Sequence, residues 1–90
     1  MATPITEAVR TEALFASDLQ CSQLPTQESI RDAVTAAVDR LGANGCAALV
    51  AQEYGEHPDN AMGRMRWAKL AVRGAFPTLA DAPVEGTAQP

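Results

Sequence analysis

Apolar positions recur along most of the chain at spacings of three and four, the period of an amphipathic helix, and nowhere alternate as a strand requires. Ile30, Val34, Ala37, Val38 and Leu41 share one side of a helical projection, with Ala33 beside them. Arg31, Asp32, Thr35, Asp39 and Arg40 take the other side, so the pattern predicts an amphipathic helix over 27–41, about four turns long. Thr26 is placed to cap it, and Glu28 lies in the first turn, where the helix dipole favours a carboxylate. Gly42 supplies a left-handed residue to end it. Ala43-Asn44-Gly45 then reads as a tight link, with Asn44 capping a second helix over 45–54. Cys46, Leu49, Val50 and Tyr54 form the expected buried stripe of that helix, and Gly55 is its expected stop.

The longest predicted helix runs over 58–76. Pro58 suits the first helical position, Asp59 suits the first turn, and Pro77 stops the run. At 100° per residue, Ala61, Met65, Ala68, Val72 and Phe76 form a core seam flanked by Met62. Arg66, Lys69 and Arg73 form a basic row beside the seam. Trp67 and Leu70 lie roughly opposite it, with Gly63, Ala71 and Gly74 nearby, and Arg64 takes the remaining flank.

Ahead of these helices, 5–16 predicts a shorter one, capped by Thr3 or Thr6. Ile5, Val9, Ala13 and Ala16 lie along its face, with Leu14 and Phe15 beside them. Residues 17–25 read as a connector anchored by Leu19 and Leu24. Residues 1–4 are expected to fray, and 77–90, interrupted by Pro83, Gly86 and Pro90, to form a mostly disordered tail. The expected architecture is therefore all-α: one domain over 5–76, with three principal helices and a short N-terminal one.

Composition narrows the function. Ninety residues make a single domain with a modest core, and much of the 47% hydrophobic content is Ala. A net charge of −4 argues against a generally nucleic-acid-binding surface. The charge is unevenly spread, however: between Asn60 and Ala80 there are four basic residues and no acidic one. Two cysteines, Cys21 and Cys46, do not make a disulfide scaffold. Cys46 reads as a small buried hydrophobe and Cys21 as the more exposed thiol. No signal-peptide-like or membrane-spanning apolar run is present, so a reduced, cytoplasmic protein is expected.

His57, the only histidine, reads as a turn residue without a second metal ligand positioned beside it. Glu53 and Glu56 read as a solvated helix end. No Gly-rich phosphate loop follows a strand, and no nucleophile has a base near it in sequence. The expectation is no enzymatic activity, no cofactor and no metal.

Ala51 and Gly55, followed by Ala61 or Met62, have the spacing of a small residue, a turn glycine and an anchoring apolar residue. Over about 26–76 the chain thus resembles a tri-helical helix-turn-helix domain. That resemblance implies DNA binding, with 58–76 as recognition helix and Arg64, Arg66, Lys69 and Arg73 as its contacts. Glu56 and Asp59 at the turn depart from the pattern, as does a basic row lying in the middle and end of the helix. The RMRWA and GCAALVAQEYG segments are also similar to short helical proteins of unassigned function from actinobacteria, which implies a bacterial origin. The preferred expectation is a non-catalytic interaction or regulatory module. It would meet a protein partner, or a second copy of itself, through Arg66, Trp67, Lys69, Leu70 and Arg73, because Trp and Arg are the residues enriched at interface centres. DNA binding through the same helix is the alternative.

Overall fold

A computed structural model describes residues 6–77 of the chain. Within that span the order is α1 (Glu7–Ala16), a single 3-10 turn (Cys21–Gln23), α2 (Gln27–Glu56) and α3 (Pro58–Ala75). The fold is all-α, and each helix packs against the other two. The expectations for 1–5 and for the tail beyond Pro77 lie outside the described residues.

Local chemistry sets the helix starts. Thr6 caps α1, its hydroxyl accepting from the Val9 N–H at 3.2 Å. Thr26 caps α2, accepting from the Ser29 N–H at 3.0 Å. α3 begins on Pro58, as the sequence predicts.

The middle of the chain meets expectation at Gly42 and departs from it beyond. α2 breaks at Gly42, which adopts φ 73°, ψ 165°. This conformation is essentially confined to glycine. The helix resumes at once, so Ala43-Asn44-Gly45 is not a link and Asn44 caps nothing. One residue of unusual backbone is enough to redirect the axis. The Cys46 thiol then donates across the bend to the Ala37 carbonyl at 3.8 Å. Nor does Gly55 end the helix. The run continues to Glu56, and His57 (φ −140°) is both its cap and the entry to α3. The His57 N–H donates to Glu53 O at 2.7 Å, and its carbonyl accepts from the Ala61 N–H at 2.9 Å. The two segments of α2, 27–41 and 43–56, are each shorter than α3, the longest uninterrupted helix among the described residues, which ends at Ala75 with Phe76 as its cap.

Six of the thirteen buried apolar residues are alanines, so the helices approach closely but each contact removes little area from water. Leu14, Val72 and Cys46 are the largest side chains with essentially no exposure. The main core joins Leu14, Ile30, Val34, Cys46, Ala68 and Val72, and a smaller cluster gathers Phe15, Val50 and Ala61. On α1, Leu14 and Phe15 lie in the core itself, not beside it. Tyr54, expected inside, is exposed and stacks on Phe15 with ring centres 6.3 Å apart. Leu24, expected as an anchor, is 86% exposed in a left-handed conformation (φ 51°), whereas Leu19 does pack on the core.

Candidate interaction surface on the third helix

The inward face of α3 is made by Ala61, Ala68, Val72 and Ala75, all buried. Met65 and Phe76, expected in the same seam, are only half-buried. Met62, expected at the edge of the seam, is 53% exposed.

Arg64 turns inward as well. Its Nε donates to Phe15 O at 2.8 Å, and its Nη2 donates to Leu14 O at 3.2 Å and Ser17 O at 2.9 Å. These are carbonyls at the end of α1; that of Leu14 also accepts from the Ser17 N–H at 3.1 Å and the Ser17 hydroxyl at 2.7 Å. The guanidinium sits 5.7 Å from the Phe15 ring centre and 5.2 Å from that of Trp67. Burial pulls the Arg64 pKa below the usual guanidinium value, while Cys21, Asp18 and Glu53 push back. An arginine remains charged under such a shift. Arg31 does a similar job at the end of α3, donating to Ala75 O at 3.1 Å.

The outward face carries the residues expected to meet a partner, and they do not share one environment. Leu70 is 65% exposed. Arg66 and Lys69 are exposed and make no side-chain hydrogen bond or ion pair among the described residues. Arg73 is exposed and pairs with α1, its Nε donating to Glu7 Oε2 at 3.0 Å. Trp67 is half-buried and packs on the main core. It borders an open cleft of about 380 Å³ with Gln20, Cys21, Asn60, Gly63 and Arg64. α1 lies instead along the other edge of the face, where Glu7, Ala8, Thr11 and Glu12 border a cleft with Met65, Lys69 and Arg73. Leu70, Arg66, Lys69 and Met62 thus share one open surface, with Arg73 tied at its edge and Trp67 forming its half-covered flank.

Comparison of the chain with protein-family models, curated proteins and solved structures gives no match. The surface must be read from its own chemistry.

Two features bear on the helix-turn-helix resemblance. The connection between α2 and α3 is the single residue His57, whereas that motif uses a turn of three or four residues. Arg64, one of the four cations that would contact DNA, is taken up by the end of α1. Sequence reasoning placed Arg64 on a free flank because its partners lie about fifty positions away.

The continuation of α2 past Gly55 also changes the surroundings of His57. Glu53, Glu56 and His57 place one potential ligand atom each within 4.8 Å of one another, although no second ligand was expected beside the histidine. His57 Nδ1 lies 3.3 Å from Glu53 Oε1, and the Gln52 amide donates to Glu56 Oε2 at 3.4 Å. These contacts occupy the group as an ordinary exposed helix end.

Proposed function

We propose that this protein is a non-catalytic helical interaction module that meets a protein partner, or a second copy of itself, on the outward face of α3. The observation that carries the reading is the pairing of Met62 and Leu70, two large apolar side chains left more than half exposed on one face, with Arg66 between them. Each lies four positions from Arg66, so the three stand one above another on the helix surface. An apolar pair around a cation, with cations and a half-buried Trp at the rim, has the make-up of an interface centre. The two groups with displaced titration among the described residues support a non-catalytic role, because both have structural uses. Arg64 satisfies the end of α1, and burial pushes the Cys46 thiol up within the core.

No helix among the described residues is long and apolar enough to cross a membrane. A reduced, cytoplasmic setting fits two unpaired thiols, Cys21 at the surface and Cys46 inside. The preference for protein over DNA rests on the one-residue connection to α3 and on the cations already engaged by α1.

Leu70→Glu tests the reading. It should leave helical content unchanged, since Leu70 is mostly exposed. It should weaken self-association or the retention of a partner on immobilised protein by at least about tenfold, which is about 1.4 kcal/mol. Equal association by wild type and variant, with Leu24→Glu as the surface control, would count against the α3 face.

A further inference from the structure

We propose that the occupant of this face is α3 of a second copy, packed antiparallel about a two-fold axis through Arg66. The proposal rests on the interaction-surface reading above and names the partner.

The outward face of α3 is palindromic in chemistry about Arg66. Asp59 and Arg73 lie seven positions to either side, Met62 and Leu70 four, and Gly63 and Lys69 three. All six are exposed. A two-fold axis between the helices and perpendicular to them sets each position before Arg66 opposite a position after it on the same flank of the other copy. Such isologous contacts occur twice. Asp59 then meets Arg73, a carboxylate against a guanidinium. On one flank Leu70 meets Gly63 and enters open space, as nothing lies within 4 Å of where a Gly63 side chain would begin. On the other flank Met62 meets Lys69, whose aliphatic stem covers it. Residues 59, 66 and 73 repeat every seven, with 62–63 and 69–70 between them, the spacing of a two-helix seam.

The charge on the face is compatible with self-pairing. Three cations, Arg66, Lys69 and Arg73, are matched by three carboxylates: Asp59 on α3, and Glu7 and Glu12 across the adjoining cleft. Glu7 holds the Nε of Arg73, which leaves the terminal guanidinium nitrogens for Asp59 of the other copy. The one mismatch is Arg66 facing itself on the axis. Facing like charges costs affinity, and a polar residue inside an apolar seam also fixes register. Other registers fit less well. Moving the axis one turn toward the C-terminus sets Arg66 against Arg73 and Lys69 against itself, with only Leu70 facing Leu70 in return. Moving it one turn toward the N-terminus takes Leu70 beyond the end of the opposing helix. The seam from Asp59 to Arg73 is about 21 Å long. A single helix pair of this length falls below the standard interface of about 1,600 Å², so the dimer forms reversibly and only as concentration rises.

Sedimentation equilibrium of the full chain, from about 10 µM to about 1 mM, tests the pairing together with a charge exchange and a cross-link. Wild type should shift from one copy toward two. Asp59→Arg and Arg73→Asp should each weaken association at least about tenfold, and the double variant should recover it, because the exchanged charges meet again across the axis. Arg66→Ala should tighten the dimer by removing the facing cations, whereas at an interface with a different protein it should weaken binding. With Cys21→Ser, Arg66→Cys should give a disulfide-linked dimer under oxidised glutathione. Circular dichroism checks that each variant keeps its helices. A dimer that neither cross-links at position 66 nor recovers in the double variant overturns the proposal. A chain that stays monomeric, yet loses a captured protein on Leu70→Glu, overturns self-pairing and leaves the interaction reading standing. A monomer with no captured partner sinks both.

Discussion

Arg64 and Arg66 stand two residues apart on one helix and have opposite fates. Arg64 is drawn inward, donating three hydrogen bonds to the end of α1 and lying over two aromatic rings. Arg66 points outward between Met62 and Leu70 without a partner among the described residues. A step of 200° around the helix separates the two roles. Arg64 belongs to the fold, since removing it takes a charged donor from the part-buried carbonyls of Phe15 and Ser17. Arg66 belongs to the surface, where its energetic consequences arise only on association. Similar residues in one basic stretch therefore cannot be added together as a single patch.

The largest test of that contrast is Arg64→Met, which keeps the apolar stem and removes the donors. Three charge-assisted bonds to carbonyls are lost together, and about 2–4 kcal/mol of stability should go with them, measured by urea or thermal unfolding. Arg66→Met should change stability by less than about 0.5 kcal/mol in the same measurement. Comparable losses for both variants would erase the distinction.

A milder probe adds bulk to each side. Ala68 is completely buried, so Ala68→Leu should overpack the core and cost about 1–3 kcal/mol. Gly63 is helical, exposed and open, so Gly63→Ala should stabilise the monomer by about 0.4–1 kcal/mol. Differential scanning calorimetry at low protein concentration would show the opposite signs.

The smallest effect concerns the two thiols. Native protein should react with a thiol reagent at Cys21 alone, with Cys46 reacting only after unfolding. Burial raises the Cys46 pKa, Glu12 adds to the rise, and Arg40 partly offsets it. The folded state thus holds that proton more tightly than the unfolded state does. This contribution is fully present below the unfolded thiol pKa and is lost as pH rises through the raised folded value. Cys46→Ser should flatten the alkaline loss seen in unfolding titrations.

The sequence made some of this contrast legible and concealed the rest. Thr6, Thr26, Pro58 and Gly42 act within a few residues of themselves, and each does what its local chemistry predicts. Ala61, Ala68 and Val72 were readable as an inward seam from their spacing alone. Gly55 misled because its freedom to turn is used only when the chain needs it, and here packing carries α2 one residue further. Met62 sits at the edge of the seam on a helical projection, and only the tilt of α3 against its neighbours decides that it faces outward. Arg64 had no local signal, since its acceptors lie about fifty residues earlier. The same is true of the pairing between Arg73 and Glu7. For the candidate surface, the sequence supplied Leu70, Arg66 and Lys69. Only the fold added Met62 and showed that Trp67 is half-covered.

The three bonds made by Arg64 span 47 to 50 residues of chain. α1 has only ten residues and is too short to persist alone in water. During synthesis it leaves the ribosome ahead of α3, and the group that completes its end is made several seconds later, at about 5–20 residues per second. A helix made before α3 is therefore secured only after it, and until α3 arrives the newborn chain exposes Leu14 and Phe15. Folding waits for the distal third of the chain, so translation pauses or truncations before residue 64 should leave a chain that is sticky and easily cut by proteases.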